Sequence, residues 1–227
     1  MAKVKNPEIT VNDTHYRRIP IKTHVVMKDD ILENIIRKYA IEKLKENDIL
    51  FISEKIVAIT QGRAYLVKDI VPRKLAVFLS NHVTKTPAGI GLGMPETMEM
   101  AIREIGTLKI LYAALMSAIT KPFGKKGVFY EIAGYKAQSI DGPTPNTIPP
   151  YNKHVVLGPL NPDKVAKEIS KLTNTFVAIV DINDLDGVIL GISHSELDKN
   201  LIAKILKDNP LGQNHEQTPL GIIRKLI

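Results

Sequence analysis

Cysteine is absent from the chain, which excludes disulfides, thiolate metal sites and cysteine nucleophiles. Aromatic residues make up only 5% of the 227 positions. No dense basic run has aromatics interleaved with it, so sustained nucleic-acid binding is the weaker explanation of any basic character. Long apolar runs are missing too. The longest, Ile110 to Ile119, is interrupted by small residues and stops at Thr120-Lys121-Pro122, short of the ~20 residues that a bilayer-spanning helix needs. The first residues carry charge without an apolar segment behind it, so no secretion signal and no membrane partner are expected.

What is present describes a globular chain. Hydrophobic residues reach 44% and charged residues 24%, enough for one large or two small cores and unlike a disordered sequence. A soluble, cytoplasmic protein is the expectation. The formal net charge of +7 attracts anions, and nucleotides or phosphorylated small molecules suit it as well as nucleic acid does.

Periodicity supplies the elements. Arg18 to Met27 alternates as a strand with Pro20 at its edge or start, and residues 1–18 carry no clear period. Leu32, Ile35, Ile36, Tyr39, Ala40 and Leu44 recur at helical spacing over Ile31 to Lys45. Ile49 to Thr60 reads as a strand by its β-branched content. The polar Ser53-Glu54-Lys55 within it is a bulge or an edge feature, or else a ligand contact. Ala64 to Pro72 reads as another strand, and helices are expected over Pro72 to Asn81, after Met94-Pro95-Glu96 and over Leu108 to Ile119. Two strands are expected between Val128 and Asp141, and short ones over His154 to Leu157, Phe176 to Asp181 and Val188 to Ile192. Asn161-Pro162 opens a helix, Leu201 to Asp208 forms the last one, and Leu220 begins a final strand or tail.

Three stretches carry the chemistry. Asp141-Gly142-Pro143-Thr144-Pro145, followed by Pro149-Pro150, cannot be helix interior or central strand, because proline lacks the amide donor and fixes φ. Asp141 therefore stands at the mouth of a rigid connection. Asp181-Ile182-Asn183-Asp184-Leu185-Asp186-Gly187 places oxygen donors at the end of a buried strand, where a hard cation or an ordinary Asn/Asp turn would fit. Gly89-Ile90-Gly91-Leu92-Gly93 precedes a helix, yet matches neither the dinucleotide nor the Walker fingerprint. Tight backbone packing explains it more plainly than a phosphate. The six histidines show no helical metal spacing, so no zinc site is indicated.

In chain order, Ile19-Pro20-Ile21, Ser53-Glu54-Lys55 through Gln61-Gly62-Arg63, Gly134 to Asp141 with the later Val177 to Asp184 stretch, and Gly212-Gln213 with Glu216 and Pro219 form a pattern. It resembles the coenzyme F-420-0:L-glutamate ligases, or γ-glutamyl ligases, in a divergent branch. The resemblance implies one γ-glutamyl ligase-like domain over 1–227, of mixed α/β (α+β) class, with largely antiparallel sheets and flanking helices. It implies GTP-dependent amide formation through an acyl phosphate, with two divalent ions (Mg²⁺ or Mn²⁺), a small anionic carboxylate acceptor, a glutamate-like amine and a homodimer. It assigns metal binding to Asp141, to Asp181, Asn183 and Asp184 as alternatives, and to Gln213. Ile19, Pro20, Ile21, Lys22, Glu54, Lys55, Thr144 and Gly212 fall to the nucleotide, and no catalytic residue is assigned. Two departures stand out. Gly142-Pro143-Thr144 replaces the family's x-Ser-Asn after the metal aspartate, and Ile59 stands where a phosphate-touching lysine is usual. They motivate the alternative of a catalytically altered nucleotide- or anion-binding protein on the same fold.

Overall fold

A computed structural model describes residues 5–83, 91–145, 147–183, 187–212 and 215–226. The chain forms two compact units, one from residues 1–62 and 159–227 and the other from 63–158. The second is thus an insertion within the first.

The first unit is built on a six-stranded sheet. Strands β1 (Glu8–Val11) and β2 (Thr14–Ile21) form a hairpin. Its turn residues Asn12 and Asp13 both have positive φ, the backbone that a two-residue hairpin loop requires. β3 (Ile49–Ser53), β6 (Phe176–Ile182), β7 (Gly187–Ile192) and β8 (Leu220–Lys225) complete the order β1-β2-β8-β3-β6-β7. β3 and β6 are parallel, and every other neighbouring pair is antiparallel. A parallel pair needs a crossover. Here that crossover contains α2 (Glu54–Thr60), the whole second unit and α8 (Pro162–Thr173).

Alternation along the strands sends side chains to two faces. Phe51, Ala178, Val180 and Ile223 pack with Ile202, Ile205 and Leu206 of α9 (Lys199–Leu206). α2 packs against β3 and β6, and α8 against β6 and β7, with α1 (Leu32–Tyr39) touching both helices. Gly221 in the central β8 has a physical reason to be glycine. A Cβ there would lie 2.2 Å from the Phe51 ring, and that ring is fully buried.

In the second unit, β4 (Ala64–Leu66) pairs with β5 (His154–Val156). Among the described residues the α-helices of this unit are α3 (Lys74–Ser80), α4 (Pro95–Ile105), α5 (Thr107–Thr120), α6 (Val128–Ala133) and α7 (Tyr135–Gln138). Leu92, Met98, Ile102, Ile110, Ala137 and Val155 lie in their shared core. Glu99, nearly fully buried, holds α3 to α4 by accepting from the backbone and guanidinium of Arg73 and from Arg103. Burial pushes the Glu99 carboxyl up, but the arginine hydrogen bonds outweigh it and hold it below the usual range.

The mixed α/β class with a mostly antiparallel sheet is as expected, and several elements are corrected. The strand expected over 18–27 is β2, displaced towards the N-terminus, and residues 22–27 are irregular. Ile49 to Thr60 is not one strand. β3 ends at Ser53, whose hydroxyl accepts from the Lys55 amide and caps α2, and β3 is central rather than at an edge. The β-branched Ile56, Val57 and Ile59 are helical because that helix is buried against the sheet, and burial overrides propensity. The two strands expected between Val128 and Asp141 are α6 and α7. Gly127 and Gly134, both with positive φ, punctuate them, and Phe129, Tyr130 and Ile132 pack onto the helical core. The strand expected over 64–72 shortens to β4 followed by a 3-10 turn.

Candidate functional site

The sheet register brings most of the candidate residues in the first unit to one edge. Ile21 and Ile52 both pair with Leu220, and Ser53 pairs with Val180. The C-terminal ends of β2, β3 and β6 and the start of β8 therefore lie at the same edge. Lys22 follows β2 and is exposed, Glu54 and Lys55 follow β3, and Asp181 and Asn183 lie at the end of β6. In open sheets the carboxyl ends of parallel strands are where ligands bind, because loops rather than ladder partners surround them. Ile19 and Pro20 sit inside β2, opposite Ile222 and Gly221. β1 pairs only as far as Arg17, so the missing amide of Pro20 costs no ladder bond on that side.

The loop into β8 is stitched to this edge. The Thr23 amide donates to the Gln217 carbonyl at 2.8 Å, and the Ser53 amide to the Pro219 carbonyl at 2.9 Å. The Thr218 hydroxyl donates to the Leu211 carbonyl, which draws Gly212 in. Gly212 has φ +79, and a Cβ there would meet the Glu216 carboxyl group at 2.6 Å. Two features make it a glycine position: a left-handed backbone and a side chain packed where a Cβ would go. Next to it, Asn209 is fully buried and donates its amide to the Gly212 carbonyl at 3.0 Å. Its amide oxygen has no hydrogen-bond partner among the described residues.

Other expected site residues lie elsewhere. Asp141 and Thr144 belong to the second unit. Asp141 is exposed, and its backbone exchanges two hydrogen bonds of 2.9 Å with Val156, so the strand partner fixes the backbone from which the proline-rich segment departs. Thr144 pairs its hydroxyl with that of Thr147 at 2.8 Å. Asp184 and Gln213 lie outside the described residues, as do Gly89 and Ile90 of the glycine-rich stretch. Arg63 has a structural position, with its guanidinium donating to the Gly158 carbonyl at 2.6 Å and pairing with Glu104 at 3.0 Å.

One polar cluster was not anticipated. Just beyond β2, the His24 ring contacts the Tyr39 hydroxyl through Nδ1 and the Asp30 carboxylate through Nε2, each at 2.9 Å. The Met27 amide, and then His24, hold the Asp30 carboxyl below its usual range. Asp30 reads in the sequence only as a helix opener. Nothing local links it to His24, because the link is made by the fold of the 22–31 loop.

The donors proposed for metal are carboxylate and amide oxygens, without sulfur or histidine. That set suits a hard divalent ion, which is commonly held by one or two carboxylates together with substrate phosphates. Among the described residues, no three of His, Cys, Asp or Glu gather as a ready-made metal cluster. The buried Asn209 oxygen beside Gly212, without a hydrogen-bond partner among the described residues, is a further acceptor of the same hard type. No described helix is long and apolar enough to cross a membrane.

Comparison with curated proteins gives no match. A family model described as F420-0:Gamma-glutamyl ligase matches residues 20–190, a stretch that runs from β2 through the entire second unit to β7. It includes Asp141 and Asp181, and it supports a ligase, hence an enzyme, connected with F420 biosynthesis. With most of its length matched by that model, the chain belongs to the F420-0:gamma-glutamyl ligase family.

Proposed function

We propose that the protein is a GTP- and divalent-metal-dependent amide ligase that joins the amine of glutamate, or of a similar molecule, to a carboxylate on a small anionic acceptor. The observation that supports this most is the family match together with the convergence of Lys22, Glu54, Lys55, Asp181 and Asn183 on one edge of the sheet. In this reading the acceptor carboxylate oxygen attacks the γ-phosphorus of GTP, the bond to the β-phosphate oxygen breaks, and GDP leaves. The amine nitrogen then attacks the acyl carbon, the bond to the phosphate oxygen breaks, and inorganic phosphate leaves as the amide forms and the nitrogen loses its proton.

This chain's residues hold and orient the reactants. Lys22 and Lys55 supply positive charge near phosphate oxygens, where preorganised charge is worth more than in bulk water. One or more of Asp181, Asn183 and Asp184, with Gln213, would supply oxygen donors to Mg²⁺ or Mn²⁺, and Asp141 is the metal-binding aspartate that the resemblance assigns in the second unit. Bound divalent ions neutralise polyphosphate charge and align it for in-line displacement. Gly212, with the buried Asn209, shapes the loop into β8.

The test is titration calorimetry of GTP with magnesium or manganese, followed by phosphate release with glutamate and candidate carboxylates. Saturable, metal-dependent GTP binding with GDP and phosphate formed in step with amide supports the ligase. Binding without turnover across a panel of acceptors and amines would favour the altered nucleotide-binding protein suggested by Ile59 and Gly142-Pro143-Thr144. No GTP binding with either metal would end the ligase reading.

A further inference from the structure

Residues 22–27 have no regular structure, yet polar contacts fix them at several points. Thr23 is buried, its amide donates to the Gln217 carbonyl at 2.8 Å, and its hydroxyl donates to the His24 carbonyl at 2.7 Å. The His24 ring spans the Tyr39 hydroxyl and the Asp30 carboxylate, each at 2.9 Å. That carboxylate also accepts from the Met27 amide at 2.7 Å, and the Asp30 amide donates back to the Met27 carbonyl at 3.0 Å. Tyr39 ends α1, a helix seated by the buried Ile35 and Ile36. Lys22 is exposed and stands directly ahead of these ties. A carboxylate only accepts, so His24 Nε2 carries the proton it donates, and Nδ1 is left to the Tyr39 hydroxyl. Both ring nitrogens are thus committed, and neither is available as a base for the incoming amine. A histidine held at both nitrogens is fixed in orientation, which suits a positioning part and not a catalytic one.

We propose that His24, clasped by Asp30 and Tyr39, is a positioning residue for nucleotide binding, which fixes the backbone that presents Lys22 to the polyphosphate. This rests on the ligase reading, in which Lys22 meets phosphate oxygens. An irregular segment loses conformational freedom when a ligand orders it, and ordering it beforehand shows as affinity. The same segment is tied through Thr23 to Gln217, so the lysine and the loop into β8 are held together. A merely structural tie would lower stability whichever residue stood at position 22. A positioning tie acts on the nucleotide through Lys22, and that difference can be measured.

Calorimetry of the full chain with GTP and magnesium, together with hydrogen exchange over residues 19–31, tests this. His24→Ala should weaken GTP binding by on the order of tenfold, the scale set by immobilising a side chain and its backbone. It should also speed exchange in the segment 22–27 while β3 and β6 stay protected. His24→Gln keeps a donor for Asp30 and an acceptor for Tyr39, and should recover most of the affinity. Tyr39→Phe retains the ring but not the hydroxyl, should weaken binding in the same direction, and serves if His24→Ala does not fold. In a Lys22→Met background, His24→Ala should remove little further affinity, because the residue through which it acts is gone. A full loss that persists in that background would overturn the proposal and leave the ligase reading intact. So would GTP affinity that neither His24→Ala nor Tyr39→Phe changes. A wild type that binds no GTP would overturn the ligase reading, and the proposal with it.

Discussion

Replacing Glu99 by glutamine tests whether a buried carboxylate holds the helices of the second unit together. The side chain is only 2% exposed and meets Arg73 Nε at 3.0 Å, Arg73 Nη2 at 3.0 Å, the Arg73 amide at 3.1 Å and Arg103 Nε at 2.8 Å. Glutamine keeps the shape but loses the charge, and turns one acceptor oxygen into a donor that faces a guanidinium. Stripping one partner from a fully buried ion pair costs about 3–5 kcal/mol. Here both arginines are 47% exposed and can be rehydrated, so the cost falls towards the ~1.5–3 kcal/mol of hydrogen bonds to charged groups. A loss of about 2–3 kcal/mol corresponds to a fall in Tm of about 4–12 °C for a chain of this size.

The pH dependence has a definite sign. Glutamate ordinarily titrates near 4.5, and the folded Glu99 lies below that value. Its stabilisation is therefore complete above about 4.5 and disappears as pH falls through the folded pKa. Melting curves of wild type and Glu99→Gln should be separated at pH 7 and converge in acid. A variant that melts within about 1 °C of wild type at pH 7, or a gap that widens as the pH is lowered, would refute the reasoning.

Further outcomes follow from the sheet and its edge. Gly221→Ala should lower stability by about 1–3 kcal/mol or more, the cost of overpacking a filled core, because its Cβ would lie 2.2 Å from the Phe51 ring; urea unfolding measures this, and the double variant with Phe51→Leu should recover part of the loss. Gly212→Ala should weaken GTP binding more than it lowers Tm, through a left-handed backbone and a collision with Glu216; equal affinity by calorimetry would remove that loop from the site. Asp181→Asn should reduce metal-dependent GTP affinity by on the order of tenfold or more, with metal-free binding unchanged. An equal loss with and without metal would assign Asp181 to the fold instead.

Much of the sheet was legible because its buried strands write themselves as apolar runs. Phe176 to Asp181 is the clearest, and Asn161-Pro162 marks the start of α8 by local chemistry alone. What escaped depended on partners distant in sequence. Ile49 to Thr60 has one composition and two structures, since Ser53 caps α2 while the parallel pairing of Ser53 with Val180 comes from more than a hundred residues away. Val128 to Gln138 looks extended until the helical core that it packs against is known. At the candidate site, residue types and chain order could be read, but not their convergence. That Lys22, Glu54 and Asp181 share an edge follows from the register of β2, β8, β3 and β6, which no window of sequence contains. The His24, Asp30 and Tyr39 cluster escaped for a different reason: its members are near in sequence, but the irregular loop that joins them has no period to read.

The most direct test of the central claim is calorimetric titration of GTP into the wild-type protein, with and without magnesium or manganese. The proposed ligase binds GTP saturably when either ion is present and far more weakly when chelator removes it. A flat titration under both conditions would contradict the account.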